Sequence, residues 1–232
     1  MAGNSNKGQQ DGADKMNSVL SSTERWIEDN QKVIITVVLI AIVVVAGFLA
    51  LRHFYFVPRE AKAQAEMYKG EMYLERDSFN LALNGNGADY IGFKAIADEY
   101  SHTEAGNLAT AYAGICYYNM GNNEEALKYF KDYSGDDMIF APNIIAMMGN
   151  CYANLGKYDE AIESFMSAAK KSDNELTTPV FIKKAAVVAE KKGDYSKAVE
   201  LYQEIKDKYE NSFVGRDIDK YIERAKLKGG SK

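Results

Sequence analysis

Self-similarity at a period of 34–37 residues constrains this chain more than any other feature it has. Within residues 142–174, small and aromatic residues hold fixed offsets: Gly149, Tyr152, Gly156, Ala161, Phe165 and Ala168. The offsets recur upstream at Gly114, Tyr117, Gly121, Ala126 and Phe130, and in part downstream at Ala186, Ala189, Gly193, Ala198 and Tyr202. A unit this short cannot bury an apolar face alone, but neighbours stacked side by side can. The pattern therefore predicts an all-α chain of helix–turn–helix pairs stacked into a solenoid. Gly114, Gly149 and Ala186 should let the two helices of a pair approach closely, with the aromatic positions filling the adjoining layer. Gly121, Gly156 and Gly193 should end the first helices, where a left-handed residue is wanted. Asp159 and Ser196 are the expected N-caps of the second helices.

Function classes can be excluded on the same reading. A net charge of −5 gives no footprint for nucleic acid. No Gly-rich phosphate loop, nucleophile–histidine set or zinc-helix motif occurs, so no catalytic, cofactor or metal residue is assigned and the chain is not read as an enzyme. His53 and His102 lack a second ligand nearby in sequence. The carboxylate pairs Asp98-Glu99 and Asp136-Asp137 point apart on a helix and are read as solvated. Cys116 and Cys151 fall at one repeat position, which puts them roughly 10 Å apart, beyond the about 7 Å Cα limit of a disulfide. They are expected to be reduced and packed. Pro58, Pro142 and Pro179 each fall at an expected helix start, where a missing N–H costs little.

The N-terminal part differs. Residues 1–22 are polar and Gly/Asn-rich and are expected to be disordered. Residues 23–57 form a charged juxtamembrane segment and one transmembrane helix. Val33 to Leu51 is nineteen residues without a charge. As a helix it covers roughly 28 Å, close to the hydrocarbon thickness of a bilayer. Trp26 precedes the run, and Arg52, Phe54, Tyr55 and Phe56 follow it as an aromatic, basic stop. The run is too long for a signal-peptide core, and no small-residue cleavage site follows. Four Lys or Arg precede it and three follow closely, so charge bias leaves the orientation open.

Residues 58–228 make up the repeat domain. A divergent repeat spans 62–100, with Ala61, Ala65, Tyr68, Met72 and Leu74 as the expected apolar face of its first helix. A linker follows over about 77–89 around Asn84-Gly85-Asn86-Gly87, and then a helix over 90–100 with Ile91, Phe93, Ile96 and Ala97 inward. Repeats follow at 107–135, 142–174 and 179–210. A capping helix over 212–228 closes the open end, and residues 229–232 are a polar tail.

The glycine, alanine and aromatic positions together resemble the tetratricopeptide repeat. The likeness departs where Thr110, Ile145 and Ile182 replace an early aromatic, and where Ala189 replaces a tyrosine. The resemblance implies a peptide-binding groove on the first helices. Its positions here are Leu108, Ala111, Ile115, Tyr118 and Asn119; Asn143, Ala146, Asn150, Ala153 and Asn154; and Val180, Lys183, Val187, Glu190 and Lys191. Ala111 and Ile115 stand where the family's clamp for C-terminal carboxylates needs lysine and asparagine, so that clamp is not expected. The layout of polar start, charged segment Glu28 to Lys32, one span and repeat array is similar to the YfgM-type ancillary subunits of the bacterial Sec translocon. That resemblance implies a periplasmic domain on the inner membrane, with a SecYEG-type channel, a membrane-bound periplasmic chaperone or client polypeptides as partners. A structural or assembly scaffold of a secretion, gliding or division complex is the alternative.

Overall fold

The computed structural model describes residues 26–230 apart from Glu28; the stretch expected to be disordered lies outside the described residues. Its contacts divide the chain between Pro58 and Arg59. The first unit contains α1 (Gln31–Leu51), followed by a π-helical turn at Arg52–Phe56. No residue of α1 is buried, which suits an apolar helix whose surroundings are something other than protein. The wide turn falls just before Pro58, whose missing N–H leaves a carbonyl of the preceding turn without its usual donor. Trp26, Phe54, Tyr55 and Phe56 are all exposed.

The second unit is helical throughout its described residues. Its elements are α2 (Val57–Leu74), α3 (Phe79–Asn84), α4 (Phe93–Glu99), α5 (Glu104–Asn119), α6 (Asn123–Asp132), α7 (Phe140–Asn154), α8 (Tyr158–Ser172), α9 (Thr178–Lys192), α10 (Tyr195–Tyr209) and, after a 3-10 turn at Gly215–Asp217, α11 (Ile218–Gly230). From α4 onward each helix packs on the next in sequence, which is the connectivity of a solenoid. The pair contacts follow the repeat pattern. A Cβ on Gly114 would come within 2.6 Å of the Phe130 ring, and one on Gly149 within 2.9 Å of Phe165. Ala126, Ala161, Ala186 and Ala198 are fully buried. Gly121, Gly156 and Gly193 have φ of 81°, 75° and 89°, so each first helix ends in the left-handed conformation that glycine adopts without cost. Cys116 and Cys151 are free and buried, and burial pushes both thiols up to about 12.

Several expectations are corrected. The buried stripe of α2 is Ala63, Met67 and Gly70; Ala61, Ala65, Tyr68 and Met72 are exposed and Leu74 is half-buried. Both stripes have helical spacing. The one containing Gly70 faces inward because Tyr90 and Phe93 lie against that glycine. The expected linker over 77–89 holds α3, which buries Ala82 and Leu83. Ile91 is exposed, because α4 begins only at Phe93. The second helices start two residues earlier than expected, so Asp159 and Ser196 lie inside the first turn. Asn122 and Asp194 are the side-chain caps of α6 and α10, and Lys157 precedes α8 without one. Asp137 is not merely solvated: its carboxylate accepts the backbone N–H groups of Ile139, Phe140 and Ala141 at the start of α7. Gly229 and Gly230 belong to α11 rather than to a tail.

The last helix is tied down by one carboxylate. Glu190 on α9, whose side chain is 8% exposed, accepts from Tyr202 Oη at 2.8 Å and Arg224 Nη2 at 2.6 Å, with Lys228 Nζ at 3.5 Å. Burial alone would raise its pKa. The Arg224 and Tyr202 hydrogen bonds and the two positive charges outweigh that and hold it below the usual value of 4.5. A carboxylate lowered in the folded state contributes stability above its unfolded pKa, and that contribution fades as pH falls through the folded pKa. Glu190→Gln is therefore expected to cost about 1–3 kcal/mol at neutral pH, since the buried Tyr202 hydroxyl and two cations lose a charged acceptor. Thermal melts of variant and parent should differ at neutral pH and draw together at an acidic pH below the folded pKa of Glu190. Equal differences at both pH values would mean that the charge plays no part.

Candidate partner-binding groove

The first helices of the pairs, α2, α5, α7 and α9, start at one edge of the unit and run in the same sense. Contacts between them are direct. Glu60 on α2 accepts the Ala105 N–H of α5, and the Tyr112 ring of α5 meets Phe140 of α7 at 6.0 Å. Beyond α9, Lys183 sits 4.1 Å over the Tyr221 ring of α11. An aromatic series from Tyr73 through Tyr90, Phe93 and Tyr112 to Phe140 and Tyr133 packs ring against ring across the first three pairs. Ring pairs at these distances add favourable contact beyond the apolar area they bury.

The sequence-derived groove positions fall into three groups. Leu108, Ile115, Tyr118, Asn150, Ala153 and Lys183 are half-buried, and Val180, Val187 and Lys191 are exposed. Ala111 and Ala146 are buried and form the floor beneath the surface. The polar positions differ in how far they are already used. Asn119 and Asn143 donate to carbonyls one turn back, at Ile115 and Ile139, and Asn154 donates to Asn123 Oδ1 at 3.0 Å. Glu190 is engaged by α11. The Asn150 amide makes no hydrogen bond to any described residue, although its residue is half-buried.

One part of this surface was missed by sequence reasoning. A cleft of about 280 Å³ between α2 and α5 is lined by Glu60, Gln64, Met67, Glu71, Glu104 and Leu108. Gln64, Met67 and Glu71 bear the same offsets to Gly70 that Leu108, Ala111 and Ile115 bear to Gly114. Aligning Gly70 with the repeat glycines would have found them. The candidate surface is thus acidic at this end. Burial and the neighbouring Glu71 charge raise the Tyr112 phenol there. It is amide-rich over α7 and cationic at the far end. There the hydrogen bond from Lys183 and the charges of Lys183, Lys220 and Arg224 hold the Tyr221 phenol below its usual range. Among the described residues, no group of three or more His, Cys, Asp or Glu is placed to hold a metal ion.

Family models for the tetratricopeptide repeat match residues 112–134, 142–170 and 184–212, so the chain carries tetratricopeptide repeats in a helical solenoid. No curated protein matches the chain. Among solved structures it is similar to a Podosopora anserina protein described as a kinesin light chain with nearly identical TPR-like repeats. The identity is 12% and the TM-score 0.57, over 75% of this chain and 89% of that one. It is also similar to MamA, at 15% identity and a TM-score of 0.50, over 73% of this chain and 93% of that one. At these identities the likeness is one of fold. Repeats of this kind suit protein–protein interaction or scaffolding, and α1 is long and apolar enough to cross a membrane.

Proposed function

We propose that the protein is a single-pass, membrane-anchored adaptor that holds other polypeptides in the groove formed by α2, α5, α7 and α9. The observation that carries this reading is the unpaired Asn150 amide, set half-buried between the small residues Ala146 and Ala153. An amide both donates and accepts, which matches the backbone of an extended segment. The polarity of the groove adds a preference for direction. A segment with its basic part over Glu71 and Glu104 and its acidic part over Lys183 and Lys191 meets opposite charge at both ends. The anchor confines the groove to the membrane surface and raises its effective concentration toward partners there. Together with the YfgM-like layout, this supports a domain in the periplasm of a bacterial inner membrane, working beside a SecYEG-type channel and its chaperones. A reporter fused after Lys232 tests the side of the membrane; a cytoplasmic signal rejects the periplasmic placement.

Photo-crosslinking residues at Ala153, in the groove, and at Glu163, on the exposed face of α8, test the site in whole cells. Discrete adducts from position 153 and few from 163 are expected. Asn150→Ala should reduce the adducts about five- to tenfold, as expected for the loss of roughly one hydrogen bond, with helix content unchanged. Asn154→Ala, which breaks only the tie to Asn123, should reduce them less. Adducts from 163 alone would reject the groove. Adducts confined to cell-wall or outer-membrane proteins would replace the translocon role by a scaffold.

A further inference from the structure

We propose that the edge of the repeat unit carrying its inter-repeat loops rests on the lipid bilayer, with Ile139, Leu176 and Phe213 inserted at the headgroup–acyl boundary. The inference depends on the reading of α1 as a membrane span. Its starting observation is independent of that reading. Ile139, Leu176 and Phe213 are spaced 37 residues apart and occupy the loops that lead from one repeat to the next. They are 76%, 79% and 86% exposed, the three most exposed large apolar side chains of the second unit. A regular row of such side chains left in water forgoes the free energy that their burial would release.

The loops are not slack. Asp137 Oδ1 accepts the Ile139 N–H at 2.9 Å, Asn174 Oδ1 accepts those of Leu176 and Thr177, and Ser212 Oγ accepts that of Gly215. Each backbone is held while its apolar side chain projects outward. Hydrogen bonds place the first two of these loops on one edge, and the third follows from the alternation of successive packed helices. Asn107, near the start of α5, pairs with Ser134, and Lys171 at the end of α8 donates to Gly135. The chain enters the unit at this same edge. The Arg59 guanidinium donates to the Glu99 carbonyl, and Glu60 takes the Ala105 N–H. Leu51 and Arg59 are eight residues apart, a reach of at most about 28 Å, so connectivity keeps the point of entry at Arg59 within that distance of the end of α1. The opposite edge holds the turns at Gly121, Gly156 and Gly193. There Asn154 bonds Asn123 and Lys192 pairs with Asp159, and the large exposed apolar residues, Met120 beside Gly121 and Leu227 at the end of α11, form no row at the repeat period.

Charge decides the lipid class. Asp136, Asp173 and Glu175 share the loop edge with Lys170, Lys171 and Arg216, so there is no cationic excess to draw anionic headgroups. Contact should come from apolar insertion about 5–10 Å deep into a zwitterionic surface and should not depend on salt.

The test uses the full chain reconstituted in phosphatidylcholine vesicles. Trp26→Phe removes the sole tryptophan. Leu176→Trp, Phe213→Trp and, on the opposite edge, Lys157→Trp are then compared. Fluorescence of the first two should be blue-shifted and quenched by brominated acyl chains at least about twofold more than that of the third, unchanged in about 0.5 M salt. Equal, weak quenching at all three positions overturns the proposal if the protein still floats with the vesicles. So does a dimer in sedimentation that Leu176→Ser with Phe213→Ser dissociates, since a second copy would then be the occupant. Failure to float at all would instead reject the anchor.

Discussion

Gly106→Ala is expected to destabilise the repeat unit by about 3 kcal/mol, lowering its melting temperature by about 6–12 °C. In an open helix the same change would gain up to about 1 kcal/mol through better helix propensity. Here the added Cβ would lie 2.0 Å from the Tyr100 carbonyl oxygen and 3.1 Å from Thr103 Oγ1. A backbone carbonyl cannot rotate away as a side chain can. It is also pinned: Tyr100 O accepts Thr103 Oγ1 at 2.7 Å, and that same oxygen of Thr103 caps α5 by accepting the Gly106 N–H at 3.0 Å. Relief therefore means losing the cap. Gly114→Ala meets the Phe130 ring at 2.6 Å and Gly149→Ala meets Phe165 at 2.9 Å, and a ring can tilt. The expected order of damage is Gly106, then Gly114, then Gly149, read by thermal melts of the detergent-solubilised chain. A Gly106→Ala protein as stable as its parent would show that the close approach does not matter.

That ordering also marks what the sequence could and could not reveal. Gly114 and Gly149 stand out because each lies opposite a ring at a repeated offset, so periodicity exposes the contact. Gly106 faces the carbonyl of a connecting loop, which no period encodes. The first pair was obscured for a related reason. Phe93 follows Gly70 by 23 residues, whereas Phe130 and Phe165 follow their glycines by 16. The extra chain contains α3, too short to show a helical period, and it displaces the ring that selects the inward face of α2. The acidic end of the groove was lost with it. At the other end, the sequence offers Glu190 as a groove position, and the structure shows it engaged by α11. Its partners Arg224 and Lys228 belong to a helix outside the matched repeats, so their claim on it was not legible. The helix starts follow the same logic. Local propensity favours Asp159 as a cap, but the left-handed Gly156 fixes where the chain turns, and α8 begins two residues later whether or not a capping side chain is available.

A pair of lysines in the middle of α1 is expected to turn an integral protein into one extracted by alkaline carbonate, where a single lysine does not. Fourteen of the nineteen residues from Val33 to Leu51 are Leu, Ile, Val or Phe. At about −0.3 to −0.6 kcal/mol each near the helix centre, they give a total on the order of −6 kcal/mol for insertion. Replacing one of them by lysine gives up its favourable part and adds about 3 kcal/mol, a swing of roughly 3.5 that leaves insertion favourable. Ile40→Lys should therefore remain in the membrane pellet. Ile40→Lys with Val43→Lys puts both charges on one face within a turn of each other, too central for either to reach a surface. The sum then rises above zero. The helix is exposed on every side, so no protein contact in the structure compensates for either change. If the double variant still resists carbonate, partners within the bilayer, rather than lipid alone, retain the chain. If the parent is already extracted, α1 does not span a membrane and the adaptor has no anchor.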